Sequence, residues 1–218
     1  PTKRLIPAIH PLLCFVFYFL LLPFYLLLFT SPLSANPTLQ SAARHGIDLF
    51  LNEEYTRSHA AFDSLIIAYP DRPEGYLGKA MAYWDESLIR ENEKQYDEQI
   101  RNFIGQAIQV SENDVKAQGE SAETFFWLGS AYGLRSGQEM MRGNVIEGIL
   151  DGLKGREFLQ ESVRIDPNMV DAYFGLGLSD YIIARKPHLM RMVSRLFSLP
   201  AGDREGGIAQ LDRVAREG

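Results

Sequence analysis

Cysteine is nearly absent from this 218-residue chain, which contains a single thiol, Cys14, inside an apolar segment near its start. The rest of the chain therefore lacks the thiols for a disulfide framework, a cysteine-zinc site or a cysteine nucleophile. Residues 10–13 (HPLL) include no small residue of the kind that precedes a lipidated cysteine, and an apolar run follows Cys14 in place of a polar tether. We therefore interpret Cys14 as an ordinary apolar residue of that segment.

An excess of basic residues is also lacking. The chain has 22 Lys and Arg against 28 Asp and Glu, a formal charge of -6, whereas a general nucleic-acid binder normally shows a basic face. His45, His59 and His188 are the histidines beyond the N-terminal segment, and no His-Glu-x-x-His zinc motif includes them. No Gly-rich loop ends in Gly-Lys-Ser or Gly-Lys-Thr. The sequence thus predicts no nucleic-acid partner, no metal and no cofactor.

Catalytic arrangements are equally lacking. The acidic pairs Glu53-Glu54 and Asp85-Glu86 are adjacent in sequence, and on a helix such neighbours point roughly 100° apart. Ser130 falls inside a predicted helix, and no general base stands at an interpretable spacing from it. We therefore predict no catalytic residues and expect that the protein is not an enzyme.

One long apolar run is present, and it occupies the first 35 residues. Lys3 and Arg4 precede the run Leu12–Phe29, and small residues follow as far as Ala35. This order is typical of a secretory signal peptide cleaved after Ala35. The run is also about long enough to span a bilayer, so an N-terminal membrane anchor is the alternative. Either interpretation places residues 36–218 in a bacterial periplasm or on the inner membrane.

Two stretches beyond this segment have the same helical pattern. In Thr124–Tyr132 and Asp171–Tyr181, large apolar residues on two turns surround a glycine, Gly129 or Gly177. A glycine on the apolar face of a helix allows a second helix to approach closely. This spacing is typical of the first helix, helix A, of a tetratricopeptide repeat.

Regular spacings indicate internal repetition. Gly46 and Ala80 are 34 residues apart, which is the period of that repeat. Pro70 and Pro167 are 97 residues apart, and Tyr76–Tyr173 and Ala80–Gly177 have the same separation. We expect the first helix of the second and fourth units to begin near Pro73 and Val170. Asp71 and Asn168 are predicted to cap these helices, and Glu74 and Asp171 to lie in their first turns.

Four helix-pair units are predicted, at about 39–72, 73–114, 122–169 and 170–218. The last three carry extra residues between their two helices, which predicts that both helices extend past the usual turn. Gly143, Gly148, Gly152 and Gly155 lie along one predicted helical region, and Gly148 and Gly152 share a face suited to close helix packing. We expect the sequence to be a piece of a longer protein, with further repeats after Gly218.

The chain resembles tetratricopeptide repeat proteins, and among them a group of exported bacterial envelope proteins with lengthened repeats. The matching elements are Trp127–Tyr132, Asp151–Gly155, Asp171–Gly177 and Asp203–Ile208. The resemblance implies an all-α superhelix of helix-turn-helix units and a role in binding partners. It names no ligand.

The resemblance also implies a partner-binding groove on the concave face, for a peptide or protein. The residues of this chain that match the family's groove are apolar, and we call them the groove positions. They are Phe50, Leu77, Met81, Trp84, Phe126, Leu134, Phe174, Leu178 and Tyr181. They lack the Lys, Arg and Asn residues with which such repeats hold a terminal carboxylate. The alternative is that the helix extensions or further repeats pack into this groove as core.

Residues 185–204 form the one locally basic segment, with apolar residues between the charges. Arg185, Lys186, Arg191 and Arg195 are therefore candidates for contact with an anionic membrane surface. The alternative is an insertion whose apolar side packs on the neighbouring unit. Membrane contact through residues 1–35 is predicted separately.

Two other functional classes stay open at this point. A lipid or small apolar ligand is the first alternative, if residues 133–156 and 182–200 close a pocket at Trp84, Phe126 and Tyr181. A non-catalytic part of a larger enzyme is the weakest alternative. The interaction scaffold is preferred because the repeat pattern is strong and no catalytic motif accompanies it.

Overall fold

The computed structural model describes residues 37–90, 94–184 and 202–217, and these form eight helices and no strand. The helices are α1 (Pro37–Leu51), α2 (Tyr55–Ala68), α3 (Pro73–Ile89), α4 (Asp97–Gln118), α5 (Ala122–Met141), α6 (Val145–Ile165), α7 (Val170–Ala184) and α8 (Arg204–Glu217). The predicted all-α class is confirmed.

The helices pack in the order in which they occur in the chain. Each helix packs on the next, from α1 on α2 to α7 on α8, and α1 also packs on α3 as α5 does on α7. Consecutive helices therefore form antiparallel hairpins, and each hairpin rests on its neighbour in sequence. Most of the buried apolar side chains belong to one continuous core.

Phe62 of α2 is wedged between two glycines on different helices. A Cβ atom at Gly46 of α1 would lie 2.7 Å from Phe62 Cζ, and one at Gly78 of α3 would overlap the same ring. The ring is fully buried. Both glycines therefore make the space that lets α1, α2 and α3 meet.

Leu159 of α6 has the same arrangement. A Cβ atom at Gly129 of α5 would lie 2.6 Å from Leu159 Cγ, and one at Gly175 of α7 would overlap Leu159 Cδ1. Leu159 follows Phe62 by 97 residues, and Gly175 follows Gly78 by 97. The separation found in the sequence thus coincides with two equivalent side-chain insertions.

Backbones approach closely at two glycine pairs. A Cβ atom at Gly129 would lie 2.9 Å from the carbonyl oxygen of Gly155, and one at Gly177 would lie 2.7 Å from that of Gly207. These contacts join α5 to α6 and α7 to α8. The predicted close helix approach at Gly129 and Gly177 is confirmed.

The α5–α6 hairpin is long, with 20 and 21 residues in its helices against 15 and 14 in α1 and α2. The predicted glycine face of α6 is confirmed, since Cβ atoms at Gly148 and Gly152 would crowd Met140 and Ser136 of α5. Gly143 was expected in this helix but lies outside it. It has a φ of 84° in the turn, a backbone conformation that glycine adopts without strain.

The helix starts predicted at Pro73 and Val170 are confirmed. The predicted cap at Asp71 is wrong, because Arg72 is the N-cap residue of α3 and no side chain caps this end. Arg72 instead pairs with Glu74 at 2.5 Å and with Glu123 of α5. A tertiary ion pair thus stands where the sequence indicated a local cap.

Candidate functional site

The groove positions lie on the first helix of each hairpin. Phe50 is in α1; Leu77, Met81 and Trp84 are in α3; Phe126 and Leu134 are in α5; Phe174, Leu178 and Tyr181 are in α7. The first seven are buried, with no more than 5% of their surface exposed, whereas Leu178 and Tyr181 are half-buried. In this structure, solvent therefore reaches the groove positions at their α7 end.

Helix α3 is enclosed along nearly its whole length, and Trp84 lies in its C-terminal half. Trp84 is 1% exposed, and its indole Nε1 donates a hydrogen bond to Met141 Sδ at 3.2 Å. Fourteen of the 17 residues of α3 are buried, including the ionisable side chains of Glu74, Lys79, Asp85 and Glu86. Buried charges need partners, and each of these four side chains has a polar contact.

The carboxylate of Glu86 receives three polar contacts. His59 Nε2 lies 3.1 Å from one oxygen, and Tyr96 Oη donates to the other at 3.1 Å. Arg90 Nε contacts the second oxygen at 2.8 Å. We call these four residues the Glu86 cluster; it joins α2, α3 and the residue that precedes α4.

Burial keeps the imidazole of His59 neutral near pH 7. Desolvation lowers the pKa of His59, and this effect exceeds the opposing effects of the hydrogen bond and charge of Glu86. The neutral ring can donate from Nε2 to Glu86, while buried Nδ1 has no hydrogen-bond partner among the described residues. The ring stacks on Tyr83 with centroids 3.9 Å apart. The fold thus holds a neutral imidazole between the Glu86 carboxylate and the Tyr83 ring.

The sequence analysis assigned His59 to no zinc motif and missed this contact, which joins residues 27 positions apart. Asp85, next to Glu86, accepts a hydrogen bond from Tyr55 Oη at 2.8 Å instead. Burial raises the pKa of Asp85. The two neighbouring carboxylates therefore serve different partners and form no shared acid-base pair.

A second buried polar contact links the start of α4 to the end of α5. Arg142 Nε lies 2.8 Å from both carboxylate oxygens of Asp97, and Gln138 Nε2 donates to Asp97 at 2.7 Å. The Arg142 and Asp97 side chains are 8% and 16% exposed. This arrangement is a structural clamp between hairpins.

Exposed apolar side chains gather around the α5–α6 turn. They are Met140 (40% exposed), Val145 (47%), Ile146 (70%) and Leu150 (61%). We call these four residues the tip face. The sequence analysis singled out the glycines beside them and missed this surface, because apolar residues of a helix are expected to face the core.

The described depression between the α2–α3 turn and α4 has a volume of about 240 Å³. Its lining mixes the polar residues Asp71, Asn113, Asp114 and Gln118 with Val110 and Ala117. This lining differs from that of the apolar pocket considered for a lipid.

The predicted signal or anchor, residues 1–35, lies outside the described residues, as do Arg185, Lys186, Arg191 and Arg195. Over residues 37–90, 94–184 and 202–217, no helix combines the length and apolar character needed to cross a membrane. The same part of the chain holds no cluster of His, Cys, Asp and Glu suited to a metal ion.

No family model, curated protein or solved structure matches the chain. Function is therefore inferred from helix packing and from the exposed surface.

Proposed function

We propose that this chain is a tetratricopeptide-like interaction scaffold, exported to the bacterial envelope, that binds a protein or peptide. One observation carries the proposal. Phe62 inserts between glycines of α1 and α3, and Leu159 inserts between glycines of α5 and α7, 97 residues later. An equivalent insertion at an equal separation is what stacked units of one repeat would produce.

Sequential packing supports a binding role. When each helix packs mainly on its neighbours in sequence, the units form an extended surface of the kind that repeat proteins use for partners. The half-buried Leu178 and Tyr181 of α7 are the groove positions that a partner can reach. We therefore assign the contact to the α7 end of the groove.

Export is the part of the proposal that rests on residues 1–35. Fusion of alkaline phosphatase to the end of the chain tests it, because that reporter needs disulfides that form in the periplasm and not in the cytosol. We expect an active fusion, and an inactive fusion in an intact, expressed protein would contradict export.

Binding is tested by affinity capture from bacterial envelope extracts with the full chain and a Leu178→Glu, Tyr181→Glu variant. The matched control is Ile67→Glu, since Ile67 is an apolar residue of α2 with 81% exposure. We expect a partner that the wild type and the control retain and the double variant loses, with all three equally helical by circular dichroism. Capture of the same proteins by all three folded chains would contradict partner binding at Leu178 and Tyr181.

A further inference from the structure

Two residues of the tip face, Ile146 and Leu150 of α6, point away from α5, the partner helix in the same hairpin. On α6, Gly148 and Gly152 face α5, where added Cβ atoms would crowd Met140 and Ser136. Ile146 and Leu150 each stand two residues before one of these glycines, which is about 200° around the helix. Their side chains are 70% and 61% exposed. They therefore form an apolar stripe opposite the face that α5 covers.

The hairpin turn beside this stripe is well ordered by hydrogen bonds. Asn144 N donates to Glu139 O at 2.9 Å, and Gly143 N donates to Met140 O at 3.1 Å. Farther along the hairpin, Ser136 Oγ donates to Gly148 O at 2.6 Å. A binding surface on this preformed hairpin loses little conformational entropy when a partner docks.

Two arginines near the tip face are paired with carboxylates. Arg135 makes a two-pronged ion pair with Asp151 at 2.7 and 2.6 Å, and Arg142 is held by Asp97. Lys154 donates to Tyr132 Oη at 2.6 Å. The ion pairs offset the charges of Arg135 and Arg142, whereas the partner of Lys154 is a hydroxyl, which does not offset a charge.

Carboxylates, in contrast, border the tip face without ion pairs. Glu139 lies beside the turn, Glu147 follows Ile146, and Glu157 lies two turns beyond Leu150 on the same side of α6. None of the three forms an ion pair among the described residues. The surface is thus apolar, and these three glutamates outnumber the one nearby cation of the described chain without a carboxylate partner, Lys154, along its border.

We propose that the tip face binds an amphipathic helix of a partner protein, with apolar residues along one side and Lys or Arg beside them. Apolar burial at Val145, Ile146 and Leu150 supplies the affinity, and the bordering glutamates select basic over acidic helices. A contiguous exposed apolar patch is unusual on a soluble surface without a partner. The inference rests on the proposed scaffold function and names the chemistry of one partner.

The test measures direct binding, so its failure is distinguishable from failure of the capture experiment at Leu178 and Tyr181. The probes are a fluorescent amphipathic peptide of leucine and lysine and a matched peptide with glutamate in place of lysine. The full chain is compared with Ile146→Glu, Leu150→Glu and with the control Ile67→Glu, by fluorescence anisotropy. We expect the double variant to bind the lysine peptide about tenfold more weakly than either the wild type or the control.

Glu147→Lys provides a second variant that leaves the apolar stripe unchanged. It should weaken the lysine peptide and strengthen the glutamate peptide, and its exposed position makes misfolding a poor explanation for either effect. Equal affinity of the two peptides for the wild type would overturn the proposal, as would unchanged binding by both tip variants.

Residues 185–201 of this chain are themselves basic and apolar in sequence, so they are the competing occupant. A full chain with these residues replaced by a Gly/Ser linker separates the two cases. Unchanged affinity for the lysine peptide supports a partner helix. A large gain in affinity over the wild type would show that the face is covered from within the chain, and the partner proposal would be wrong.

Discussion

Gly129 and Gly133 lie one turn apart on α5 in different surroundings. A Cβ atom at Gly129 would lie 2.6 Å from Leu159 Cγ and 2.9 Å from Gly155 O, whereas one at Gly133 would meet nothing within 4 Å. We expect Gly129→Ala to lower the free energy of unfolding by about 1–3 kcal/mol, because the Gly155 backbone cannot yield cheaply. Urea denaturation measures this change.

Gly133→Ala is the matched control for that substitution. It removes a flexible residue from a helix interior without a new contact, so we expect it to raise the free energy of unfolding by up to about 1 kcal/mol. Equal effects of the two substitutions would mean that α5 and α6 do not approach at Gly129.

The burial of His59 predicts how the stability of the fold depends on pH. Its pKa is lower in the folded protein than the ordinary value, because of burial. As pH falls below about 6.5, the unfolded chain therefore binds a proton that the folded chain does not. The free energy of unfolding then decreases until the pH reaches the lower pKa of His59 in the folded protein. His59→Gln keeps a donor for Glu86 and removes this titration.

Thermal unfolding from about pH 7 to about pH 5 checks the prediction. We expect the wild type to lose more stability than His59→Gln over this range. Asp63, Lys79 and Glu86, the charged residues that face His59, are present in both proteins. Exposed His45, replaced by glutamine, serves as the control. Parallel profiles of wild type and His59→Gln would contradict the assigned burial effect.

At the scale of helical elements, the Asp97–Arg142 contact is expected to hold α4 against α5. Arg142→Ala would leave the largely buried Asp97 carboxylate without its cation, at a cost of about 3 kcal/mol. The control is Arg164→Ala, since Arg164 and its partner Glu161 are 64% and 41% exposed. We expect the control to change stability by under about 0.5 kcal/mol. Chemical denaturation of both variants gives these values, and equal losses would disprove the clamp.

A helix start was predictable where one residue restricts the backbone. Pro73 restricts the backbone locally, so the start of α3 followed from residue type. The capping prediction at Asp71 was wrong because Arg72 forms ion pairs with Glu74 and with Glu123, which is 51 residues away in sequence. Local propensity does not include such tertiary partners.

At the scale of the whole molecule, sequential packing predicts that stability is distributed by hairpin. Gly177→Val would force a side chain into the Gly207 backbone, 2.7 Å from the Cβ position. We expect amides of α7 and α8 to lose hydrogen-exchange protection while those of α1 and α2 keep theirs. Uniform loss of protection across the chain would instead indicate one cooperative unit and count against independent repeats.

For the candidate sites, the sequence predicted which residues lie on helices but not which of them are buried. The sequence placed Phe50, Trp84 and Phe126 on helices with apolar faces, and it could not say whether those faces were covered. Burial of a side chain depends on which other helices reach it, and that information is spread over the chain. The Glu86 cluster and the tip face were missed for the same reason.

The sequence by itself determined the all-α class, the close approach at Gly129 and Gly177, and the glycine face of α6. These features follow from helical periodicity and from the small size of glycine, which are properties of the residues and their spacing. Only the tertiary structure decided that His59 meets Glu86, that seven groove positions are buried and that Ile146 and Leu150 are exposed. Those outcomes depend on where distant helices pack, because hydrogen bonding and burial join residues far apart in sequence.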